Sequence, residues 1–246
     1  MTPRPPPWQR LLILLAAVLG ALGTFSLGMW QLGRGAEKLA MHALQNERTT
    51  MAVLDARMLT PSMDAQALDA VRHRTMVLKG QWLSEHTVFL ENRQMQGRSG
   101  FFVMTPMQLA ETGTVVLVQR GWVPRSFTDR QALPPVETPT QPVEVTARLA
   151  PWPSRVYDFG GLEAGVIRQN LDLILFRQQT GLPLLDLSLI QEGAASEGLL
   201  RDWPVVASGV EKHHGYAFQW FGLSALIALL YVWFQIVQVR RKQRAV

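Results

Sequence analysis

The sequence predicts an α+β membrane protein: two transmembrane helices flanking a mostly antiparallel β extracytoplasmic domain with a few helices. Three observations carry that expectation. Two uncharged apolar stretches, Leu11 to Met29 and Ala217 to Val239, stand towards the two ends of the 246 residues. Basic residues without acidic ones lie on their outer sides. Between them the hydrophobic period changes from about 3.6 to 2, from helix spacing to strand spacing.

At about 1.5 Å per residue, Leu11 to Met29 nearly crosses a hydrocarbon core of about 30 Å, and Ala217 to Val239 is longer. Single spans of this kind are helical, because lipid offers the backbone no other partner. A signal peptide cleaved after Ala21-Leu22-Gly23 is the competing reading of the first stretch. Arg4 and Arg10 precede it, and Arg240, Arg241, Lys242 and Arg244 follow the second, while all 19 acidic residues lie between. Positive flanks stay in the cytoplasm. The expected arrangement is therefore residues 1–10 cytoplasmic, 11–29 a span, 30–216 extracytoplasmic, 217–239 a span and 240–246 a basic cytoplasmic tail. The expected location is a bacterial-type inner (cytoplasmic) membrane, with membrane lipid as one partner and no nucleic acid. With no cysteine in the chain, disulfides and thiolate sites are excluded.

Ala36 to Met58 is rich in helix formers and reads as a helix leaving the membrane surface. Pro61 interrupts it, and Ser62 is placed to cap a short helix ending near Ala70. Arg72 to Trp82 then reads as a strand. Thr87 to Leu90 and Gly100 to Met104 read as a hairpin around the turn-like Asn92 to Ser99. Thr114 to Gln119 is a further apolar strand, and Arg120 to Pro124 reads as the turn that ends it. The prolines 134, 135, 139 and 142 mark a loop. Val143, Val145, Ala147 and Leu149 alternate with polar residues as a half-buried strand does. Asn170 is placed to cap a helix through Gln179 that Gly181 closes, and Leu182 to Ile190 reads as the last strand.

No phosphate loop, nucleophile elbow or H-E-x-x-H pair is present, and Asp158 and Glu163 have no evident partner. The expectation is that the protein is not an enzyme. Met104 and Met107 form an M-x-x-M pair of the kind that takes copper(I), although one methionine in a strand is ordinary core filling. His42, His73 and His86 are isolated. His213 and His214 stand at the outer mouth of the second span, where a neutral ring nitrogen suits a haem iron. If the helix starts by His213, then Tyr216 and Trp220 share its face. An ordinary interfacial belt of aromatic residues accounts for the same pattern without haem.

Several short motifs resemble the surfeit locus protein one family of cytochrome c oxidase assembly factors. Gly28-Met29-Trp30-Gln31-Leu32, with Arg34 and Glu37-Lys38, is similar to that family's signature at the exit of the first span. Asn92-Arg93, Gly97, Gly100 and Thr105-Pro106 resemble its central hairpin. Val116-Leu117-Val118 followed by Arg120-Gly121-Trp122-Val123-Pro124 is similar to its R-G-W-(V/I)-P motif. His213, Gly215-Tyr216-Ala217 and Trp220-Phe221 resemble its H-x-x-Y-A-x-x-W entry to the second span. The family usually carries Asn, His and an apolar residue before Gly-Tyr; here Lys212, His213 and His214 stand there.

The resemblance implies a role in handling haem a for cytochrome c oxidase subunit I, without catalysis. It implies His213 as ligand to the haem iron with Tyr216 and Trp220 beside it, and leaves His214 as the alternative imidazole. Haem-a synthase is a further expected partner. Arg34, Lys38, Arg93 and Arg120 are candidates to meet haem propionates, since guanidinium forks pair carboxylates well. Two other readings remain open at this point: a haem-free membrane-tethered scaffold that stabilises an oxidase subunit, and an enzyme acting on a lipid or on haem.

Overall fold

The computed structural model describes residues 6–126, 128–129, 132–153, 155, 165–203, 209–237 and 240. Arg4, Asp158, Glu163, Val239, Arg241, Lys242 and Arg244 lie outside the described residues. The chain divides into two units, Met1–Leu44 with Val206–Val246, and Gln45–Val205.

The first unit is helical. Helix α1 runs unbroken over Pro7–Thr50. Proline is favoured at a first helical position, where its missing N–H would have no partner. The helix is about 66 Å long at about 1.5 Å per residue, roughly twice a hydrocarbon thickness. The apolar run thus continues without a joint into the helix expected from Ala36. That helix stops earlier than the composition predicts, at Thr50, where the Thr49 and Thr50 hydroxyls donate to the carbonyls of Asn46 and Glu47 at 2.7 and 2.9 Å. The other helix of this unit is named α4 from its place in the chain. It spans Val210–Tyr231, after Gly209 at φ +64°, and continues as a π-helical turn over Val232–Val237. It begins seven residues before Ala217, so His213 to Tyr216 are helical. Both helices are long and apolar enough to cross a membrane.

The second unit is built on strands β1 (Leu54–Asp55), β2 (Thr75–Trp82), β3 (Val88–Met95), β4 (Arg98–Leu109), β5 (Val115–Pro124), β6 (Val143–Ala150), β7 (Ile167–Arg168) and β8 (Leu184–Gln191). Two short helices join them, α2 (Ala65–Val71) and α3 (Leu173–Thr180). Strands β2, β6, β8, β5 and β4 close into a small barrel, because β2 pairs with β4 as well as with β6. Gly80 stands at the closure, opposite both Leu109 and Val143. A Cβ there would come within 2.4 Å of the Gln108 carbonyl oxygen, so only glycine lets the strands meet. The barrel pairs are antiparallel except β5 with β8, which run parallel.

Alternate residues of all five barrel strands meet inside. Met76, Leu78 and Trp82 face Met107, Leu109, Val116, Val118, Ala147, Leu149, Leu187 and Leu189 in one core. A second core on the outer side gathers Val88, Leu90, Met104, Leu117, Leu171 and Phe176. Met104 and Met107 belong to different cores, so the M-x-x-M pair is split across β4 and does not form a copper site.

Local expectations need four corrections. The hairpin turn is only Gln96-Gly97, both at positive φ (50° and 73°), the geometry of a tight two-residue turn. Asn92, at φ +58°, instead sits in a bulge within β3. Strand β5 does not end at Arg120 but runs to Pro124, paired with β4 on both sides of a bulge at Arg120. The caps of α2 and α3 are Asp64 and Asp172, whose carboxylates accept from Ala67 and Leu175 N–H at 2.8 and 3.0 Å; Ser62 and Asn170 lie just upstream.

His73 adopts φ +65°, a conformation that costs a residue with a Cβ. Burial pushes its imidazole below the ordinary value of 6.5, and Arg148, Arg48 and Arg72 push the same way against Asp69. The folded state therefore disfavours the proton. Its contribution to stability is whole above pH about 6.5 and is lost as pH falls through the lowered folded value. His73→Asn tolerates the backbone and is expected to flatten that acid limb in denaturant titrations. His73→Val is expected to cost about 1–2 kcal/mol at neutral pH, since a β-branched side chain resists the left-handed region.

Candidate functional site

The helical unit brings one face of α1 against one face of α4. Gly28 is buried, and a Cβ on it would meet the Phe221 ring at 2.5 Å. Phe25 packs on the same ring with centroids 5.3 Å apart. The Ser224 hydroxyl donates to the Ala21 carbonyl at 2.8 Å, and Thr24 folds its own hydroxyl back on Gly20 at 2.8 Å. Ala217 is 1 % exposed. Small residues at these positions let the backbones approach, the usual basis of helix pairing in lipid.

His213 lies on this face. Its Nδ1 is 2.7 Å from Gln31 Oε1. Gly35, one turn further along α1, is buried, and a Cβ there would sit 3.6 Å from His213 Cβ and from the His214 ring. His213 and Trp220 are partly buried, whereas His214 is exposed and Tyr216 is 53 % exposed. With about 100° per residue, Trp220 stands about 20° and Tyr216 about 60° from His213 around the helix, and His214 about 100° away on the other side. Among the described residues, no cluster of three or more His, Asp or Glu is placed to hold a metal ion. An axial imidazole on a haem needs no such cluster.

The candidate cations separate by unit. Arg34 pairs with Glu37 on the exposed side of α1 at 2.9 Å. Lys38 Nζ lies 3.7 Å from where a Cβ on Gly209 would stand. Arg93 and Arg120 belong to the barrel unit. Arg93 is buried, donating to the Gln169 carbonyl at 3.1 Å beneath the Phe102 ring. The Arg120 side chain has no exposed surface. It donates to Thr138 Oγ1 and the Glu137 carbonyl, both at 2.7 Å, and to Glu197 at 2.9 Å, with its guanidinium carbon 4.7 Å from the Trp82 ring centre. The barrel interior thus accounts for Arg120, which has no surface to offer a propionate. Arg201 completes the brace by donating to the Arg120 carbonyl at 2.8 Å.

Sequence reasoning passed over Gln31, Glu197 and Arg201 as functional or structural partners. Gln31 carried two visible signals, its place in the first motif and its position just past an apolar run, three residues from a glycine. Its partner is 182 positions away, beyond any local pattern.

The fold and this site define a class: a small β-barrel carried in one chain with a pair of candidate membrane helices, one of which presents a buttressed imidazole. The SURF1 family model matches residues 18–225, a span that takes in Gln31, the barrel and His213. The chain belongs to the SURF1 family. It is 27 % identical over 226 residues to a SURF1-like protein of Rickettsia conorii, covering 84 % of each chain. It is 32 % identical over 132 residues to Surfeit locus protein 1 of Arabidopsis thaliana, covering 50 % of this chain and 36 % of that one. It is 30 % identical over 101 residues to the Saccharomyces cerevisiae cytochrome oxidase assembly protein SHY1, covering 41 % of this chain and 25 % of that one.

Proposed function

We propose that this protein assists the assembly of cytochrome c oxidase and holds haem a for delivery to oxidase subunit I, without catalysing a reaction itself. Family membership and the printed name of the yeast relative support the assembly role. The His213 imidazole carries the haem reading. Its Nδ1 is engaged by the Gln31 amide, and its Nε2 makes no hydrogen bond among the described residues, which leaves that nitrogen for a ligand. One imidazole nitrogen on a partly buried side chain, with Tyr216 and Trp220 on the same flank of the helix, fits a haem, so the residues present suit the group.

Haem a, if bound, would supply an iron that an imidazole nitrogen can ligate. The chain's own part is to orient that nitrogen, to lay Trp220 and Tyr216 on the same flank as apolar cover, and to keep Arg34 and Lys38 on α1 as cations for carboxylates. Arg34 must leave Glu37 to do so. In this reading both termini lie in the cytoplasm and the barrel lies outside, where it meets subunit I and haem-a synthase. The basic residues outside the two apolar stretches support that orientation.

Cells lacking this protein are expected to assemble several-fold less oxidase, measured as haem-a absorption of their membranes. The full chain should restore it and His213→Ala should not, although His213→Ala accumulates in the membrane to the same level. Normal oxidase without the protein would end the assembly reading. Full rescue by His213→Ala would leave the haem-free scaffold.

A further inference from the structure

We infer that Gln31 is the positioning residue of His213: its amide oxygen holds the imidazole as the Nδ1–H tautomer and so makes Nε2 the ligating nitrogen. The functional part of this inference rests on the haem reading above; the tautomer does not. An amide oxygen only accepts, so with Gln31 Oε1 turned to Nδ1 at 2.7 Å the ring hydrogen belongs on Nδ1. A neutral imidazole carries one hydrogen, and Nε2 is then left with a lone pair.

The surrounding packing fixes the distance. Gly28 and Gly35 lie on the same side of α1 as Gln31, three residues before and four after it, and both are buried. A Cβ at Gly28 would strike Phe221, and one at Gly35 would touch His213 and His214. The two backbones are therefore held close on either side of Gln31. At that separation the glutamine reaches the ring in a single hydrogen bond.

The choice of an amide has a chemical consequence. Ligating histidines commonly donate their second ring N–H to a carboxylate, which raises the basicity of the ligand nitrogen. A neutral amide orients the ring as well but polarises it less. The ligand is aimed without being made a strong donor, which suits a protein that must hand its haem on.

The test uses the full chain labelled with ¹⁵N-histidine, in detergent micelles without haem, at a pH where neutral imidazole prevails. The chain has five histidines, and the His213 signals are those missing from His213→Ala. Long-range ¹H–¹⁵N spectra should give Nδ1–H for His213 in the wild type and in Gln31→Glu, and Nε2–H in Gln31→Leu. With haem a loaded, loss to excess apomyoglobin should be several-fold faster than wild type in Gln31→Leu and slower in Gln31→Glu. An Nε2–H wild type, or a tautomer indifferent to Gln31→Leu, overturns the inference. If Gln31→Leu fails to insert, the wild-type tautomer and Gln31→Glu still decide it. The expected tautomers in a protein that never retains haem would uphold the positioning of His213 and defeat the haem reading instead.

Discussion

Trp122→Ala is expected to destabilise the barrel unit by about 3–5 kcal/mol, the cost of emptying a fully buried tryptophan site. Trp122 is 1 % exposed, and its Nε1 donates to the Arg93 carbonyl at 2.9 Å. Its ring fills the space above Gly100, where a Cβ would lie 2.5 Å from Trp122 Cε2. Its backbone exchanges both hydrogen bonds with Leu200, at 2.8 and 2.9 Å. The substitution thus removes a filler over β4 and the indole hydrogen bond to the Arg93 carbonyl on β3. Trp122→Phe should keep most of the volume and lose about 1–2 kcal/mol with the hydrogen bond. Denaturant unfolding of the full chain in micelles measures both. An unchanged midpoint for Trp122→Ala would mean that the side chain is not part of the core.

Arg120→Leu is expected to cost nearly as much for a different reason. The guanidinium is wholly buried and pairs with Glu197, which is itself only 18 % exposed. Removing one partner of such a pair strands the other, at about 3–5 kcal/mol. Arg201 remains 3.4 Å from the same carboxylate, which places the expectation at the lower end, near 3 kcal/mol. The double substitution Arg120→Leu with Glu197→Gln removes the stranded charge and should recover part of the loss. If the double variant is as unstable as the sum of the two single ones, the ion pair is not the reason Arg120 is there.

These two residues also illustrate where the sequence was legible. The alternation of Val143 to Leu149 read directly as β6 because one face of that strand is buried and the other is not. Strand β5 is buried over Val115–Val123 on both faces, so its run of apolar residues gave no period beyond Gln119. Gly121 and Pro124 then suggested a turn. The chain stays extended there because Leu199 and Leu200 pack on it, and a Cβ on Gly121 would lie 2.5 Å from Leu199 Cβ. That contact is made by residues far along the chain, as is the parallel pairing of β5 with β8 within the barrel. Local patterns identify strands; they do not say which distant strand completes the ring.

The helical ends were legible for a simpler reason, since length without charge is enough to mark them. Their pairing was not. The placement of His213 at the start of the second apolar stretch and its relation to Trp220 follow from helical spacing alone. The spacing does not reveal that the ring turns towards α1, nor that Gln31 meets it.

One measurement bears most directly on the claim that His213 serves as a haem ligand. The full chain is purified from cells that make haem a, and the visible spectra of wild type, His213→Ala and His214→Ala are compared at equal protein. Haem-a bands are expected in the wild type, largely retained in His214→Ala, and lost or strongly shifted in His213→Ala, with all three proteins folded. A colourless wild type, or a spectrum that His213→Ala leaves unchanged, would contradict it.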